Sequence, residues 1–596
     1  MNVSEYIFDF FQKKGVDTAF MVTGGQAMFL NDAVGKNPNY HIICHHHEQA
    51  CTMAADAYGR VSNKPAIALV TAGPGALNAI NGVAGGYTDS SPMIVISGHT
   101  NLHFVQYQAQ TRIRQYGVQG INIGPVVSSI VKYFRTIDKP EELQEILEMA
   151  YDTAVGGRPG PVWLEVPLDI QKAQVPIQKT KNSDEKAELF SLGDVKQAVK
   201  RTYQRLQDAQ RPVFLVGQGV SLSGARELFD KAVHTLRVPV ITARLGIDLM
   251  ESADELYVGR PGNYGERAAN MAIQNADLII SVGCRLASSL VGHNPKQFGE
   301  NAYMICVDID PEELNKPNCS IDDKVLGDSK AFFEYILRYI KRYELPDYSK
   351  WIRQCNKWKK EYPVMQQSYW EERPVNSYLF MDLLTKHTAP GAMITVDTGS
   401  CFHVACQSWK VKKGQKFLTT GGISSMGYWA ASIGACMANN GKNTICITGD
   451  GSLQMNIQEF ATIRHNNLPI KIFVLNNNGY LLIRHTQHNF MEDRFVGESP
   501  KTGVWCPDTG KIASAYEIPF VRINDPVEVE KKIDEVFAID GPVICEVMTP
   551  TWQLLIPRIS SEKLPDGTLV AHDYDDMFPF LPREEMEKNR EISKGW

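Results

Sequence analysis

The sequence predicts an α/β protein with three domains, each built on a doubly wound parallel sheet. Three separate stretches of the chain support this prediction. Apolar runs of strand length alternate with helical periodicity over residues 1–172, and the same alternation returns at 191–345 and at 376–555. Alternation of this kind is typical of parallel sheets that are covered by helices on both faces. We therefore expect an N-terminal, a central and a C-terminal domain with these bounds, followed by a tail at 556–596.

Composition excludes several classes of protein. The 596 residues are 43% apolar and 21% charged, with a formal net charge of −6 and no basic block, so nucleic acid is not an expected partner. No uncharged apolar stretch reaches the roughly 18 residues of a membrane span, and the N-terminus has the pattern of an amphipathic helix rather than a signal peptide. The 12 Cys form no CxxC pair, which favours reduced thiols in a cytoplasmic enzyme over a disulfide or zinc framework.

Three polar turns follow predicted strands in the N-terminal domain. The turns read TGGQ (23–26), HHHEQA (45–50) and TAGPGA (71–76). In open α/β sheets, ligands bind at the edge formed by the carboxyl ends of the strands, so these turns predict a binding site. The strands of this domain are expected at Thr18–Val22, Ile42–Cys44, Ala66–Thr71 and Met93–Ser97.

Glu48 lies in the second of these turns, at the start of a helix expected over Gln49–Arg60. A carboxylate at this place also interacts favourably with the helix dipole, so its position alone assigns no function. Adjacent residues of a strand point to opposite faces, so at most two of the three His before Glu48 could share a metal ion. We expect His47 to lie beside the ligand, and His45 and His46 to pack or to face solvent.

One βαβ unit in the C-terminal domain carries the most specific pattern of the chain. A strand expected at Thr444–Thr448 ends in the turn Gly449-Asp450-Gly451-Ser452. A second strand expected at Ile470–Leu475 ends in the turn Asn476-Asn477-Asn478-Gly479. Both turns lie at carboxyl ends of parallel strands, where they can face one ligand.

The residues of these two turns indicate a metal and a diphosphate. Asp450 offers a carboxylate and Asn477 an amide oxygen, and Mg²⁺ prefers such oxygen ligands together with substrate phosphates. Gly451 and Gly479 allow the backbone to approach a phosphate closely. Ser452 adds a hydroxyl at the start of a helix, where anions are favoured. The unit therefore predicts Mg²⁺ clipping a diphosphate between two strand ends.

Both regions resemble thiamine-diphosphate enzymes, and GDGSLQMNIQEFATIRHNNLPIKIFVLNNNGY (449–480) is most similar to the acetolactate (acetohydroxyacid) synthases. In the N-terminal domain, HEQA, AADAYGR and TAGPGALNAINGVAGGYTDSSPMIVISG resemble the pyrimidine-binding domain of the same family. The resemblance implies that Asp450, Asn477 and the backbone oxygen of Gly479 bind Mg²⁺. It also implies that Glu48 binds the aminopyrimidine of thiamine diphosphate and starts the activation of its thiazolium.

The resemblance adds further residues to the site. Met426, in GGISSMG (421–427), corresponds to the residue that supports the thiazolium and bends the cofactor, and Gln119 to a glutamine near the reacting carbon. Catalytic roles are thus expected for Glu48, Gln119, Met426 and His47. Substrate-steering roles are expected for Gln26, Arg484 and His485.

A second diphosphate turn is expected after a strand at Met393–Val396. The synthases tend to have Gln-His there, whereas this chain has Ser400-Cys401, so phosphate contacts are expected from the hydroxyl and the backbone. The residues expected at the cofactor are Gly24, Gly25, Glu48, Pro74, Asn78, Gly399, Ser400, Cys401, Ser424, Met426, Gly449, Asp450, Gly451, Ser452, Asn477, Gly479 and Tyr480.

The central domain, expected to be Rossmann-like, begins with a strand at Pro212–Val216 and the turn Gly217-Gln218-Gly219. A glycine turn alone is weak evidence for a nucleotide. The flavin-dependent synthases carry a turn of type ARFDDR in this domain, and the chain reads Cys284-Arg285-Leu286-Ala287-Ser288-Ser289 instead. Only the first Arg is kept, and the loss of both acids and of the second Arg argues against FAD.

The resemblance implies decarboxylation of a 2-oxo acid, with pyruvate as the expected donor, and ligation to a second carbonyl. The synthases have Trp where this chain has Thr486, so the acceptor pocket is expected to be remodelled and to admit a larger acceptor such as a keto sugar. A thiamine-dependent C–C hydrolase or oxidase and a silent regulatory paralogue stay open. A silent paralogue would be expected to lose Glu48 or Asp450, and both are present.

The resemblance also implies a homodimer or homotetramer with sites at the subunit interface. In that arrangement Glu48 of one chain meets Asp450 of the partner subunit. The tail after residue 555 is rich in Pro and Asp, and its sequence does not decide between a lid and a subunit contact.

Overall fold

The computed structural model describes residues 1–176, 190–340, 344–563 and 569–592. Its strands form three parallel six-stranded sheets and one antiparallel pair, and helices connect the strands of each large sheet. The predicted α/β class with three doubly wound parallel sheets is confirmed. Each large sheet lies within one of the expected domains, and most of the stretch between the first two expected domains, 173–190, lies outside the described residues.

The N-terminal sheet has the strand order β2-β1-β3-β4-β6-β5. Its first four strands each begin within one residue of the start predicted from the sequence. The edge strand β5 escaped prediction because its four residues, YFRT, form no apolar run. The strands are β1 (Thr18–Met21), β2 (His41–Cys44), β3 (Ala66–Val70), β4 (Met93–His99), β5 (Tyr133–Thr136) and β6 (Pro161–Pro167). The helices are α1 (Val3–Lys13), α2 (Met28–Lys36), α3 (Glu48–Ser62), α4 (Pro74–Thr88), α5 (Leu102–Gln110), α6 (Gly124–Val127), α7 (Leu143–Val155) and α8 (Leu168–Gln171).

The central sheet has the order β12-β11-β10-β7-β8-β9. Apolar clusters cover both of its faces, as expected for a parallel sheet buried by helices. The strands are β7 (Pro212–Val216), β8 (Val240–Thr242), β9 (Tyr257–Gly259), β10 (Leu278–Val282), β11 (Tyr303–Asp308) and β12 (Asp323–Leu326). The helices are α9 (Leu192–Asp208), α10 (Gly219–Leu222), α11 (Arg226–Leu236), α12 (Arg267–Asn275), α13 (Ser288–Val291), α14 (Pro311–Asn315), α15 (Ser329–Ile340) and α16 (Ser349–Glu361).

The C-terminal sheet has the order β14-β13-β15-β16-β18-β17, so the strands that precede the three predicted diphosphate and metal turns are direct neighbours. The strands are β13 (Met393–Val396), β14 (Lys416–Thr419), β15 (Thr444–Gly449), β16 (Ile470–Asn476), β17 (Phe520–Ile523) and β18 (Val543–Met548). The helices are α17 (Ser377–His387), α18 (Ser400–Ser408), α19 (Ala431–Ala438), α20 (Asp450–Leu453), α21 (Glu459–His465), α22 (Leu481–Phe490), α23 (Thr509–Ala515) and α24 (Val529–Ala538).

The tail lies on the central domain. It contains the antiparallel strands β19 (Ser561–Lys563) and β20 (Leu569–Ala571) and the helix α25 (Arg583–Glu591). Tyr574 and Met577 are buried in a cluster with central-domain side chains, and Asn270 of α12 donates to the Tyr574 carbonyl. Within one chain the tail therefore covers the central domain.

The N-terminal and C-terminal domains share one apolar core. It joins side chains around β1 and α3 with side chains of α19, α21 and β16. Helices α3 and α19 pack so closely that a Cβ on Gly434 would lie 1.8 Å from the Ala54 carbonyl oxygen. Only glycine permits this approach. The packing fixes the first sheet relative to the third.

Over the described ranges, each helix is too short or too polar to cross a membrane.

Candidate functional site

The three N-terminal turns meet at one edge of the sheet. We call this group, made of Gly24, Glu48, Thr71, Gly75 and Asn78, the pyrimidine-side cluster. A Cβ on Gly24 would lie 2.4 Å from the Thr71 Cβ, and a Cβ on Gly75 would lie 3.1 Å from Glu48 Oε1. The chain approaches itself too closely here for any side chain at either glycine.

Glu48 is the acidic residue of this cluster and is 8% exposed. It starts α3, where the helix dipole favours a carboxylate. Asn78 Nδ2 of α4 donates to Glu48 Oε2 at 3.0 Å, which fixes the carboxyl group. Across the described ranges no hydrogen bond to Oε1 is present, so this oxygen is left for a ligand.

Gln119 and His47 lie beside the cluster in different ways. Gln119 has a positive φ of 57°, and its carbonyl oxygen would lie 2.6 Å from a Cβ on Gly73. The structure thus brings the backbone of Gln119 against the third turn, and its expected place near the reacting carbon stays a prediction. His47 caps α3, because its Nδ1 accepts the Gln49 N–H at 3.1 Å, so at least one ring nitrogen has a structural role.

The other two His of the run have separate positions. His45 is buried and its Nδ1 lies 2.8 Å from Glu459 Oε2, whereas His46 is exposed. Across the described part of the chain, no three His, Cys, Asp or Glu side chains are arranged as a metal site.

Asp450, Asn477 and Gly479 form the diphosphate-side cluster at the carboxyl ends of β15 and β16. Asp450 Oδ2 accepts the Gly479 N–H at 2.8 Å, which ties the two turns together. Asp450 Oδ1 and Asn477 Oδ1 are buried and have no hydrogen-bond partner among the residues that the structure describes. Buried oxygens without partners are costly, so these two atoms point to a ligand.

This cluster fits a hard cation. Its two orphan oxygens belong to a carboxylate and an amide, the donor types that Mg²⁺ takes. Burial raises the pKa of Asp450 to about 6, although backbone N–H groups, that of Gly479 first among them, act in the opposite direction. A bound cation would offset the burial that disfavours the charged carboxylate.

The second diphosphate turn lies beside this cluster. Asn477 Nδ2 lies 3.4 Å from Ser400 Oγ, at the first residue of α18. Gly399 precedes it with φ 106°, and space is open around its Cβ position. The Cys401 thiol is instead buried and donates to the carbonyls of Asp397 and Thr398, so only the backbone of Cys401 is left for a phosphate.

Ser452 and Tyr480 have roles that the sequence did not predict. The Ser452 hydroxyl donates to Asp397 Oδ2 at 2.6 Å and accepts the Gly427 N–H at 2.8 Å, so it holds the loop that contains Met426. Tyr480 covers Gly451, because a Cβ on that glycine would lie 2.2 Å from the tyrosine ring. Close approach of this ring therefore explains the glycine at 451.

The loop that contains Met426 is held by both outer domains. Asp89 of the N-terminal domain accepts the N–H groups of Gly421 and Gly422 at 2.8 and 2.7 Å. Ser424 has a positive φ of 47°, and Ser425 donates to Asn81 of α4 at 2.8 Å. A side chain in a loop fixed at so many points can serve as a rigid support.

Asp397 is a buried residue of this region that sequence reasoning missed. Besides Ser452, the Thr448 hydroxyl donates to its Oδ2 at 2.8 Å, so it connects the ends of β13 and β15. Burial raises its pKa to about 6, against hydrogen bonds from Ser452 and Thr448. An acidic residue directly after a strand, as at Asp450, was the available signal.

The three expected substrate-steering residues differ in environment. Gln26 Oε1 is buried, and none of the described residues forms a hydrogen bond with it. His485 is buried, burial lowers its pKa to about 4, and its ring lies 4.7 Å from the Trp552 ring. Arg484 donates to the carbonyls of Asn477 and Asn478, so it contacts the metal turn itself.

A cavity of about 530 Å³ lies where the three domains meet. The glycine turn at 217–219, Arg244, Arg285 and Phe402 contribute to its lining. The Arg244 guanidinium stacks 4.3 Å over Phe402, and burial lowers its pKa. Arg285, the residue kept from the flavin turn, donates to the Thr88 carbonyl at 2.8 Å. The cavity has room for a ligand. Arg285, however, is the one residue kept from the flavin turn, and it contacts protein.

Comparison with known proteins agrees with this geometry. Residues 1–121, 199–336 and 397–547 match the family models described as thiamine pyrophosphate enzyme N-terminal TPP binding domain, central domain and C-terminal TPP binding domain.

The chain is 30% identical over 567 residues to a probable acetolactate synthase large subunit of Methanococcus aeolicus, covering 92% of each chain. It is 29% identical over 569 residues to the acetolactate synthase isozyme 2 large subunit of Escherichia coli, covering 95% of this chain and 99% of the relative. It is also 29% identical over 581 residues to the acetolactate synthase large subunit of Lactococcus lactis, covering 96% and 97%.

Proposed function

Because the chain belongs to the thiamine pyrophosphate enzymes of the acetolactate synthase type, we propose that it decarboxylates pyruvate and joins the two-carbon product to a second carbonyl compound. Thiamine-diphosphate-dependent carboligation is the activity of this type of enzyme. What we propose is the identity of the donor, the identity of the acceptor and the role of each residue.

The observation that carries the proposal is the pair of buried, unpartnered oxygens on Asp450 and Asn477. They lie at adjacent strand ends, next to the first residue of α18, where a diphosphate would find free N–H groups. Asp450, Asn477 and the Gly479 carbonyl would hold Mg²⁺, and the turns at 399–401 and 449–452 would hold the diphosphate.

Thiamine diphosphate supplies the electron sink that allows a 2-oxo acid to lose CO₂ and a second carbonyl to be attacked. The protein supplies a proton donor and acceptor at the pyrimidine. Glu48 Oε1 is free for that exchange, while Asn78 holds Oε2. The closed turn around Gly24 and Gly75 limits access of water to the carboxyl group.

Two further residues would position the reactants. Met426 would support the cofactor from a loop fixed to Asp89, Asn81 and Ser452. Gln119, held against Gly73 at the rim of the pyrimidine-side cluster, would contact the substrate.

The proposed acceptor is larger than that of the synthases, for example a keto sugar. Thr486 is exposed and its hydroxyl is bonded to the Leu482 carbonyl, so this position presents a small side chain. A single-substrate C–C hydrolase or oxidase is the competing activity, and it would give no ligated product.

Mass spectrometry of products from ¹³C-labelled pyruvate, Mg²⁺, thiamine diphosphate and a panel of carbonyl acceptors tests the proposal. A product with two labelled carbons added to the acceptor is expected. Acetate or acetaldehyde as the only labelled product with every acceptor would contradict carboligation by this chain.

The proposed assembly is a homodimer or homotetramer in which Glu48 faces Asp450 of the partner subunit. Within one chain, the described residues include no hydrogen bond or ion pair between Glu48 and the diphosphate-side cluster. The lack of such a bond between Glu48 and this cluster in the described part of one chain is consistent with completion of the site by a second chain.

We also propose that the enzyme works without FAD. The lost acids and Arg of the flavin turn, together with the use of Arg285 on the Thr88 carbonyl, support this. The purified protein should be colourless, and a stoichiometric yellow chromophore with flavin absorption bands would contradict it.

A further inference from the structure

We propose that Arg484 is a positioning residue that determines which backbone oxygen of the turn 477–479 is left for the metal ion. The inference rests on the proposed function, since it takes Asp450 and Asn477 as Mg²⁺ ligands. It replaces the expectation that Arg484 steers substrates.

The turn presents three consecutive carbonyl oxygens near Asp450. Arg484 Nη1 donates to the Asn477 carbonyl at 3.4 Å, and Nη2 donates to the Asn478 carbonyl at 3.1 Å. Among the described residues, no hydrogen bond reaches the Gly479 carbonyl. The guanidinium thus occupies two of the three oxygens, and the third, that of Gly479, stays available in a turn whose Gly479 N–H already donates to Asp450 Oδ2.

Arg484 is itself fixed from two other loops. Its Nε donates to Glu498 Oε2 at 2.5 Å, its Nη2 to the Glu498 carbonyl at 3.4 Å, and its Nη1 also to the Thr551 carbonyl. The side chains of Arg484 and Glu498 are 11% and 5% exposed. All three guanidinium nitrogens are therefore engaged within the protein, and a substrate would find no free donor on them.

Glu498 secures the same turn through its backbone. Its carbonyl accepts the Tyr480 N–H at 2.8 Å, and it would lie 2.0 Å from a Cβ on Gly479. The carboxylate neutralises Arg484, so the guanidinium orients the turn without adding net charge next to a cation. A planar group with five donors suits this geometry, whereas the point charge of Lys does not.

The variants Arg484→Gln, Arg484→Lys and Glu498→Gln test the proposal, with Arg494→Gln as a matched control. Arg494 lies nearby in sequence, but its side chain is 69% exposed and pairs with the exposed Glu492. Isothermal titration with Mg²⁺ in the presence of thiamine diphosphate gives the metal affinity. Steady-state kinetics at saturating Mg²⁺ give kcat and the KM for each substrate.

Loss of an outer contact to a metal site typically weakens metal affinity by about 10–100-fold. We expect that loss for both Arg484 variants, a smaller loss for Glu498→Gln, and none for Arg494→Gln. At saturating Mg²⁺ the KM for the acceptor should stay at the parental value.

Four results would overturn the inference. A raised acceptor KM with unchanged Mg²⁺ affinity would assign Arg484 to the substrate. Parental affinity in Arg484→Lys would show that charge suffices. A lower unfolding temperature with unchanged Mg²⁺ affinity would show a purely structural role. If Arg484→Gln and Arg484→Lys do not fold, parental Mg²⁺ affinity in the milder Glu498→Gln would count against the inference. A parent protein that binds no Mg²⁺ with thiamine diphosphate would instead refute the proposed function.

Discussion

The two half-sites of this molecule are the pyrimidine-side cluster and the diphosphate-side cluster. They differ in whether protein groups satisfy their buried polar atoms. In the pyrimidine-side cluster, the carboxyl of Glu48 has its partner in Asn78, and the turns pack so tightly that glycine is required at 24 and 75. In the diphosphate-side cluster, Asp450 Oδ1 and Asn477 Oδ1 are buried without partners. One half is closed by packing, whereas the other would be completed by the proposed cation. Variants in the two halves should therefore fail in different ways.

The largest effect is expected from Asp450→Ala. It removes the only carboxylate among the proposed ligands, and a Mg²⁺ site depends on such a charge. Isothermal titration should show that Mg²⁺-dependent binding of thiamine diphosphate is lost. The control Asp493→Ala, at a side chain 58% exposed, should bind as the parent does. Unchanged cofactor affinity in Asp450→Ala would show that the orphan oxygens have another purpose.

Glu48→Gln should leave cofactor binding intact and slow the reaction. The amide keeps the size of the side chain and a hydrogen bond to Asn78 but cannot deliver a proton, and general acid–base assistance is typically worth about 10²–10⁴-fold in rate. Turnover should fall by that factor, and the thiazolium C2 proton of bound cofactor should exchange with D₂O correspondingly more slowly in quenched-flow NMR.

The exposed Glu145→Gln serves as the control for Glu48→Gln. Exchange as fast as in the parent protein would reduce Glu48 to a carboxylate that stabilises the start of α3. The two half-sites would then differ only in how tightly they are packed, because Glu48 would have no role in proton transfer.

Mixing the two inactive variants tests whether the halves belong to different chains. In a mixed dimer, Glu48 of the Asp450→Ala chain would meet Asp450 of the partner subunit, which gives one intact site. Random re-association of equal amounts should restore about a quarter of parental activity if the sites are shared across a two-fold axis. No recovery, with mixed dimers verified by native mass spectrometry, would place each site within one chain.

The fold was predictable because each domain repeats one simple pattern. Buried parallel strands are continuous apolar runs, and those at Pro212–Val216 and Met393–Val396 were predicted with the bounds that the structure shows. Short strands without such a run, such as Tyr133–Thr136, carried no signal. The strands that were not predicted lie at sheet edges or have few residues. A short strand contains too few residues to show a clear hydrophobic pattern.

The candidate site was predictable only where its residues are local in sequence. Asp450 and Asn477 stand directly after two adjacent strands, so their chemistry could be read from one βαβ unit. The Arg484–Glu498 pair and the link from Asp397 to Gly427 through Ser452 join residues from separate loops. No pattern along the chain records such contacts, which explains why Ser452 was expected at the phosphate and Arg484 at the substrate.

The smallest expected effect concerns a contact that joins the N-terminal and C-terminal domains. Glu459 of α21 accepts the His46 N–H at 3.1 Å, and its other oxygen lies 2.8 Å from His45 Nδ1. The two His lie two and three residues before Glu48, where α3 begins. Burial opposes the charge of Glu459, but the hydrogen bond and the charge of His45 outweigh it and lower the pKa. A carboxyl whose pKa is lower in the folded state stabilises the fold above its unfolded pKa of about 4.3 and loses that contribution as the pH falls through the folded value.

Glu459→Gln should therefore reduce the free energy of unfolding at pH 7 by about 1–3 kcal/mol, the usual range for a hydrogen bond to a charged group. The difference from the parent should shrink as the pH falls below about 4. Urea unfolding between pH 7 and pH 3.5 measures it, with Glu517→Gln, at a side chain 79% exposed, as the control. A deficit that stays constant over this pH range would mean that the shape of Glu459, and not its charge, holds α21 to the first domain. The junction between these two domains would then depend on packing, as the pyrimidine-side cluster does.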